Sequence, residues 1–201
     1  MDETDKDSFL TLEAPSEGFF RNKGSRFLAY AFPVSTEPEI KELLSEIRKK
    51  YFDARHHCYA WRLQNGLYRA NDDGEPSGTA GRPILGQIDA FGLTNVCVVV
   101  VRYFGGVLLG TGGLVEAYKK SAASALENGN MITSLIMERC KISFPYEKMG
   151  EVMRLMKESG VSIETIEQQM QCTMVLSVRK SVKESFSERL KLILLLRQNW
   201  E

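Results

Sequence analysis

The sequence predicts an α+β protein of two domains, residues 20–129 and 136–201. The predicted order β-α-β-β-α of the second domain suggests a small α+β sandwich in which helices cover one face of the sheet. In addition, Gly129-Asn130 breaks the chain directly after a long helical segment, and the apolar pattern changes beyond it. Residues 1–19 are predicted to be an N-terminal tail.

The first domain is predicted to surround a buried strand at 96–101, where five valines and one cysteine follow one another. An uninterrupted apolar run of this length is typical of a strand covered on both faces. Thr36 and Glu39 have capping-box spacing, so they predict an amphipathic helix that continues to Tyr51. Asn65-Gly66 is a hairpin signal. The other predicted strands are 25–34, 57–63 and 67–70, and the other helices begin near Pro83 and at about Gly112.

The second domain is predicted to have the order β-α-β-β-α. Cys140, Ile142 and Phe144 alternate with polar residues as in a half-buried strand. Pro145 opens a helix, and Gly160 has the position of its C-cap. Strands at 161–167 and 170–179 follow, and Ser181 with Glu184 forms a second capping box for the last helix. The few residues after Ile193 leave the presence of a full fourth strand open.

The charge balance argues against indiscriminate binding to nucleic acid. The chain has 26 basic and 26 acidic residues, so bulk charge supplies no general attraction for phosphates. The N-terminus is acidic and polar and lacks the pattern of a signal peptide, and no apolar run has the length of a membrane span. We therefore expect a cytoplasmic protein without a membrane partner. The four cysteines show no C-x-x-C spacing and are predicted to be buried and reduced: Cys58, Cys97, Cys140 and Cys172.

A glycine-rich loop, residues 105–113, follows the valine-rich strand and allows two interpretations. It is neither a dinucleotide fingerprint nor a P-loop, because Val115 replaces the third glycine and no Gly-Lys-Ser/Thr is present. The glycines can form a tight strand-to-helix turn. Alternatively, they can form an anion-binding nest at the N-terminus of the next helix, with Arg102 or Lys119 nearby.

An earlier glycine loop, residues 72–81, begins with Asp72-Asp73-Gly74-Glu75. These carboxylates do not form an EF-hand, because Pro76 occupies the position of the required glycine. A solvated acidic turn is the favoured interpretation, and neither a metal nor a cofactor is expected. Arg82 follows the loop and is a candidate contact for an anion.

His56 and His57 are the only histidines, and they are neighbours in a predicted strand. Their side chains therefore point to opposite faces and cannot serve one metal or one acid–base pair. His57 shares its face with Tyr59 and Trp61. Because no nucleophile elbow or Cys–His pairing is evident in the sequence, no catalytic residue is predicted.

A short basic cluster consists of Arg21, Lys23 and Arg26. It is interleaved with three phenylalanines, Phe19, Phe20 and Phe27, in the pattern of a surface that faces nucleic acid. The alternative is a solvated strand edge with buried phenylalanines.

Two motifs resemble the signature of the YigZ/IMPACT family, namely DDGEPSGTAG at 72–81 and VRYFGGVLLG at 101–110. Residues 24–27 and 54–61 are similar to segments that flank this signature. The resemblance covers roughly residues 20–128. The later part of the chain is similar, with weaker motifs, to the smaller C-terminal domain of the bacterial two-domain members.

The resemblance implies a first domain like the second domain of ribosomal protein S5. It implies a ferredoxin-like second domain similar to domain V of a translational elongation factor. Eukaryotic relatives are similar in the first domain and regulate translation by binding the activator of a starvation-responsive initiation-factor kinase. Two folds shared with translation proteins suggest that bacterial members bind RNA or the ribosome, an inference from fold alone.

From the resemblance we expect a non-enzymatic regulator associated with translation that binds RNA or the ribosome. The alternative is an enzyme or sensor that binds a small phosphorylated or carboxylated metabolite at the glycine loops. A protein partner on the exposed sheet of the second domain is a third option, and the oligomeric state is not predicted. In the expected site, arginines hold phosphates and glycines permit close approach, and its residues are Arg26, His57, Arg82, Arg102, Gly105 and Gly106.

Overall fold

The computed structural model describes residues 7–193 and 197–200, and the chain divides into two compact units. The first unit spans residues 9–133, and the second comprises residues 1–8 together with 134–201. Both units combine sheets with helices, which confirms the α+β class. Among the described residues, no helix is long and apolar enough to cross a membrane.

The first unit is dominated by a five-stranded antiparallel sheet with the strand order β2-β3-β6-β4-β5. A separate two-stranded sheet pairs β1 with β7. The elements up to and including β7 are β1 (Ser8–Leu12), β2 (Ser16–Asn22), β3 (Ser25–Pro33), α1 (Glu37–Lys50), β4 (His56–Arg62), β5 (Tyr68–Asn71), α2 (Gly81–Ala90), β6 (Val96–Tyr103), α3 (Gly110–Glu127) and β7 (Met131–Leu135).

Strand β6 is buried on both faces, as its valine run predicts. Val98 and Val100 pack with residues of α2 and α3, whereas Val99 and Val101 pack with residues of α1. We call these two sides the α2–α3 face and the α1 face. Because side chains alternate along a strand, Arg102 continues the series of Val98 and Val100 and lies on the α2–α3 face.

The segment predicted as a tail contains two strands, β1 and β2, so this prediction is wrong for residues 8–19. Strand β2 pairs along its whole length with β3. Its inward position Gly18 lies so close to α3 that an added Cβ would be 2.2 Å from the backbone nitrogen of Ala125. The sequence conceals this strand because glycine and serine replace the apolar residues that normally mark a buried face.

The second unit has the element order β-α-β-β-α-β, with an antiparallel sheet in the order β11-β8-β10-β9. One core joins the sheet to α4 and α5. The structure contains a short fourth strand, whose presence the sequence neither predicted nor excluded. The elements are β8 (Met137–Pro145), α4 (Met149–Ser159), β9 (Ser162–Glu167), β10 (Gln171–Arg179), α5 (Lys183–Ile193) and β11 (Arg197–Trp200).

Most local signals have the predicted structure. Thr36 Oγ accepts from the backbone N–H of Glu39 at 3.4 Å, and Gly160 ends α4 with a φ of 63°. All four cysteines are buried and unpaired. The prediction of a second capping box is wrong, because Ser181 lies in a 3-10 turn and its hydroxyl donates a hydrogen bond to the carboxylate of Asp7.

Candidate functional site

A pocket of about 490 Å³ lies between the two glycine loops of the first unit. This volume is within the range of small-molecule sites. The pocket combines polar and apolar walls. Its lining residues are Arg55, His56, Gly74, Glu75, Pro76, Arg102, Phe104, Leu108, Leu109, Gly110, Thr111 and Leu114.

A buried ion pair forms the floor of the pocket. Arg102 Nη1 donates to Glu75 Oε1 at 2.5 Å, and the two side chains are only 7% and 4% exposed. The guanidinium also lies over the rings of Phe27 and Phe104, at 5.5 and 5.7 Å from their centroids. Because a buried charge is costly to leave without its partner, each member of the pair holds the other in place.

Tyr118 contacts the ion pair from the interior of the first unit. Its hydroxyl donates to Glu75 Oε1 at 2.8 Å, and the Sγ of Cys58 lies 3.3 Å from the hydroxyl oxygen. Burial, together with the neighbouring thiol and carboxylate, raises the pKa of Tyr118. Burial likewise raises the pKa of Cys58. Both groups therefore stay protonated near neutral pH, and Cys58 is not an activated nucleophile.

His56 also lines the pocket. Its Nδ1 lies 2.8 Å from the carbonyl oxygen of Asp73, and its Nε2 lies 4.0 Å from Glu75 Oε1. A carbonyl oxygen only accepts hydrogen bonds, so the neutral ring carries its proton on Nδ1.

The first glycine loop is organised by its own carboxylates, so the predicted solvated acidic turn is wrong. Asp72 accepts from the backbone N–H groups of Gly78, Ala80 and Gly81 at 2.8, 3.0 and 2.8 Å. Burial raises the pKa of Asp72, but these hydrogen bonds outweigh it and hold the pKa below its ordinary value. Asp72 thereby fixes the loop to the start of α2.

Asp73 joins the same loop to the neighbouring elements. Its carboxylate accepts from Arg48 at 2.7 Å and from the backbone N–H of His57 at 2.6 Å. Burial raises the pKa of Asp73, but the Arg48 and His57 contacts outweigh it and lower the pKa overall. The loop is therefore anchored on both sides, and Glu75 is left to face the pocket.

The second glycine loop contains elements of both predicted interpretations. Gly105 packs against the β2–β3 turn so closely that an added Cβ would lie 1.9 Å from the carbonyl carbon of Gly24. Its role is therefore contact with the protein's own backbone. Further along, Gly110 and Thr111 begin α3 at the pocket wall, and Leu109 before them provides no side-chain cap.

The structure does not bring the predicted site residues into one surface. Arg102 lines the pocket on the α2–α3 face, whereas Arg26 and His57 lie on the α1 face. Arg82 is exposed on α2, and neither it nor Gly105 and Gly106 lines the pocket. Alternation along the strands separates residues that were grouped by residue type alone.

His57 is buried against the loop after α1. Its side chain shares a face with Tyr59 and Trp61, as the sequence predicts, and its Nε2 lies 3.0 Å from the carbonyl oxygen of Tyr51. Burial, together with the Arg48 charge, lowers the pKa of His57 despite this hydrogen bond. A buried neutral histidine of this kind stabilises the fold and does not hold phosphate.

The same α1 face has an exposed end that is rich in cations. Arg21, Arg26 and Tyr103 are paired in register across β2, β3 and β6, and Phe19 lies in the neighbouring row. Arg26 is exposed and its guanidinium stacks on Tyr103, 4.8 Å from the ring centroid. We define the basic face as Phe19, Arg21, Lys23, Arg26 and Tyr103. Phe20 and Phe27, which the sequence grouped with it, pack in the core of the opposite face.

Of the residues that line the pocket, sequence reasoning placed only Arg102 in a site and missed the others, among them His56 and Glu75; it also missed Tyr118, which lies beneath them. Glu75 lies in the DDGEPSGTAG motif, but its neighbours Gly74 and Pro76 are typical of exposed turns and gave no indication that it is buried. His56 shares the strand parity of Cys58 and Ala60, which was an available signal once that face was known to carry α2 and α3.

Comparisons with known proteins agree on one family. The model of the Impact N-terminal domain matches residues 23–126. The chain is similar to the IMPACT family member YvyE of Bacillus subtilis, with 34% identity over 183 residues, 90% of this chain and 84% of that protein. It is also similar to the IMPACT family member YigZ of Escherichia coli, with 41% identity over 127 residues, 60% of this chain and 61% of that protein.

A solved structure has the same fold over nearly the whole chain. It is a crystal structure described as that of a hypothetical protein, with a TM-score of 0.74 and 29% identity. The match covers 96% of both chains.

Proposed function

This chain belongs to the IMPACT family, which includes eukaryotic translation regulators, and on that premise we propose that it acts in translation by binding RNA through the basic face of its first unit. The observation that carries the proposal is the row of Arg21, Arg26 and Tyr103 beside the exposed Phe19. We propose ribosomal RNA as the target and the cytoplasm as the compartment. We also propose that the second unit is ferredoxin-like, which its order β-α-β-β-α-β supports, and that the first unit is S5 domain 2-like.

The basic face combines the two interactions that single-stranded RNA uses. Arg21, Lys23 and Arg26 are exposed and supply positive charge for phosphates. Phe19 is 51% exposed and offers a ring on which a base can stack. Neither feature requires a particular base sequence, so we propose recognition of an unpaired RNA segment rather than of a sequence motif.

Arg102 has no part in this surface. Its guanidinium is engaged by Glu75 and buried on the other side of the sheet, so it cannot hold the same phosphates as Arg26. The proposed RNA contacts are therefore Phe19, Arg21, Lys23 and Arg26.

The test is binding to a fluorescently labelled single-stranded RNA and co-sedimentation with ribosomes, both over a salt series. Arg26→Gln is the variant. We expect it to weaken binding and to reduce the slope of log affinity against log salt by about 0.7–1, as for one lost phosphate contact.

Arg62→Gln is a matched control at the other end of the sheet. Arg62 also lies on a strand and stacks on a tyrosine, with its guanidinium 5.1 Å from the ring centroid of Tyr68. We expect this control to bind RNA like the wild type. Equal affinity of the wild type and Arg26→Gln at every salt concentration, or an equal loss in both variants, would remove the basic face from RNA binding.

A further inference from the structure

The pocket on the α2–α3 face has an excess of positive charge. The charged lining residues include two arginines, Arg55 and Arg102, and one carboxylate, that of Glu75. Glu75 is already satisfied by Arg102 and Tyr118. The remaining charge favours an anionic ligand.

The start of α3 adds a second source of positive potential. This helix has 18 residues, and its first two, Gly110 and Thr111, line the pocket. The first backbone N–H groups of a helix have no partner within the helix, and here the N-cap residue Leu109 supplies no side-chain acceptor. These N–H groups and the helix dipole favour an anion at this wall.

An independent observation on the floor of the pocket also indicates a ligand. Arg102 is 6% exposed, and its Nε has no hydrogen-bond partner among the described residues. Buried polar atoms are rarely left without a partner, and the exceptions require an explanation. Less than 1 Å² of this atom is exposed, so an acceptor oxygen of a bound molecule would supply that partner after Arg102 turns its Nε towards the cavity.

The remaining walls are apolar. Phe104 and Leu108 are 46% and 83% exposed, and Pro76, Leu109 and Leu114 complete the apolar lining. An inorganic anion would leave these side chains without a partner. The walls instead suit a molecule that carries a ring next to its anionic group, because an exposed aromatic side chain can stack on it.

We propose that this pocket binds a phosphate monoester that carries an aromatic ring, of the nucleoside 5′-monophosphate class. The phosphate lies at the N-terminus of α3, and the base lies against Phe104 and Leu108. This binding site is separate from the basic face, since the two lie on opposite faces of the sheet, and it does not require RNA binding.

The experiment is isothermal titration calorimetry of the full chain with adenosine and uridine 5′-monophosphates, adenosine, and inorganic phosphate. We expect saturable binding of a monophosphate that is at least about tenfold tighter than binding of either adenosine or phosphate alone. A failure to detect saturable binding of either monophosphate at millimolar concentration would overturn the proposal. Equal affinity for adenosine and its monophosphate would overturn the placement of the phosphate.

Thr111→Asp and Thr111→Asn are the decisive pair of variants. Thr111 is exposed and is the second residue of α3. Asp is favourable in the first turn of a helix, so the variant folds, but its charge repels a phosphate at that position. We expect Asp to weaken monophosphate binding at least about tenfold and Asn, which has the same size without charge, to retain it within about threefold.

Thermal melting of both variants confirms that they are folded. Equal monophosphate affinity in the Asp and Asn variants would contradict the proposed phosphate position. The Arg26→Gln variant is expected to bind monophosphates like the wild type. A loss of RNA binding without a loss of monophosphate binding, or the reverse, therefore separates failure of the RNA proposal from failure of this one.

Discussion

Arg26 and Arg102 lie on adjacent strands of one sheet, and their surroundings are opposite. Arg26 pairs in register with Tyr103, and Arg102 pairs with Phe27. The two arginines are therefore one residue apart in the register, and their side chains point to opposite faces of the sheet. Arg26 is exposed on the α1 face, whereas Arg102 is buried on the α2–α3 face and bound to Glu75. The difference shows that residue type alone does not assign an arginine to a binding surface. Strand parity and the covering helices decide it.

The largest expected difference between the two faces is in stability. Arg102→Met is expected to lower the free energy of unfolding by about 3–5 kcal/mol, because it leaves Glu75 buried without its cation. Arg26→Met is expected to change it by less than about 0.5 kcal/mol, as for an exposed side chain. Urea unfolding of both variants measures the difference.

The double variant Arg102→Met/Glu75→Gln sharpens this comparison. We expect it to lose less than the sum of the two single losses, because neither remaining group is then an unpaired charge. Strict additivity, or equal losses for Arg102→Met and Arg26→Met, would contradict a stabilising ion pair beneath the pocket.

The next prediction compares the changes in stability caused by substituting two glycines of the second glycine loop. Gly105→Ala is expected to destabilise by about 1–3 kcal/mol or more, because the backbone of Gly24 occupies the space of the new methyl group. Gly112→Ala is its control, since nothing lies within 4 Å of an added Cβ there. Inside a helix this control is expected to stabilise by about 0.5–1 kcal/mol. Thermal and urea unfolding of both variants measure these changes. Equal changes in stability for Gly105→Ala and Gly112→Ala would contradict the close packing of Gly105 against Gly24.

A smaller effect concerns the first glycine loop and depends on pH. The pKa of Asp72 is lowered in the folded chain from its ordinary value of 3.8, so its charged form stabilises the fold. This contribution is fully present roughly one pH unit or more above the ordinary value of 3.8, and it is lost as the pH falls through 3.8 and then through the lower, folded-state pKa. Asp72→Asn is expected to cost about 1–3 kcal/mol at pH 7, because hydrogen bonds to a charged acceptor become neutral.

The measurement for Asp72 is urea unfolding of the wild type and Asp72→Asn between pH 7 and pH 3. We expect the gap in unfolding free energy to narrow as the pH falls, since the wild-type carboxyl then becomes neutral as well. A gap that stays constant over this range would show that the Asp72 charge does not hold the loop.

A small expected effect on stability belongs to Phe19 on the basic face. Because its side chain is half exposed, Phe19→Ala is expected to lower the unfolding free energy by about 1 kcal/mol, less than the loss of a fully buried Phe. If RNA bases stack on this ring, the same variant weakens RNA binding by about 1–3 kcal/mol with an unchanged salt slope. Fluorescence anisotropy over a salt series measures both quantities, and a changed slope would argue against stacking as the role of Phe19.

Much of the fold could be predicted from local sequence. The valine run marked β6, Thr36 marked the start of α1, and Gly160 marked the end of α4. In each case the signal acts within a few residues, through apolar periodicity or through a backbone group that needs a nearby partner. Strand β2 was not predicted because two of its inward positions are Ser16 and Gly18 rather than large apolar residues, and close contact with α3 stabilises it.

The sequence by itself determined the α+β class, the order of most elements, the buried thiols and the opposite orientation of His56 and His57. Only the tertiary structure decided which face each arginine joins, that Glu75 is buried, and that Gly105 serves contact with Gly24. The physical reason is the distance along the chain over which each interaction acts. Periodicity and capping are set by neighbours in the chain, whereas an ion pair such as Glu75–Arg102 joins residues 27 positions apart, whose meeting depends on how the strands pair and which helices cover them.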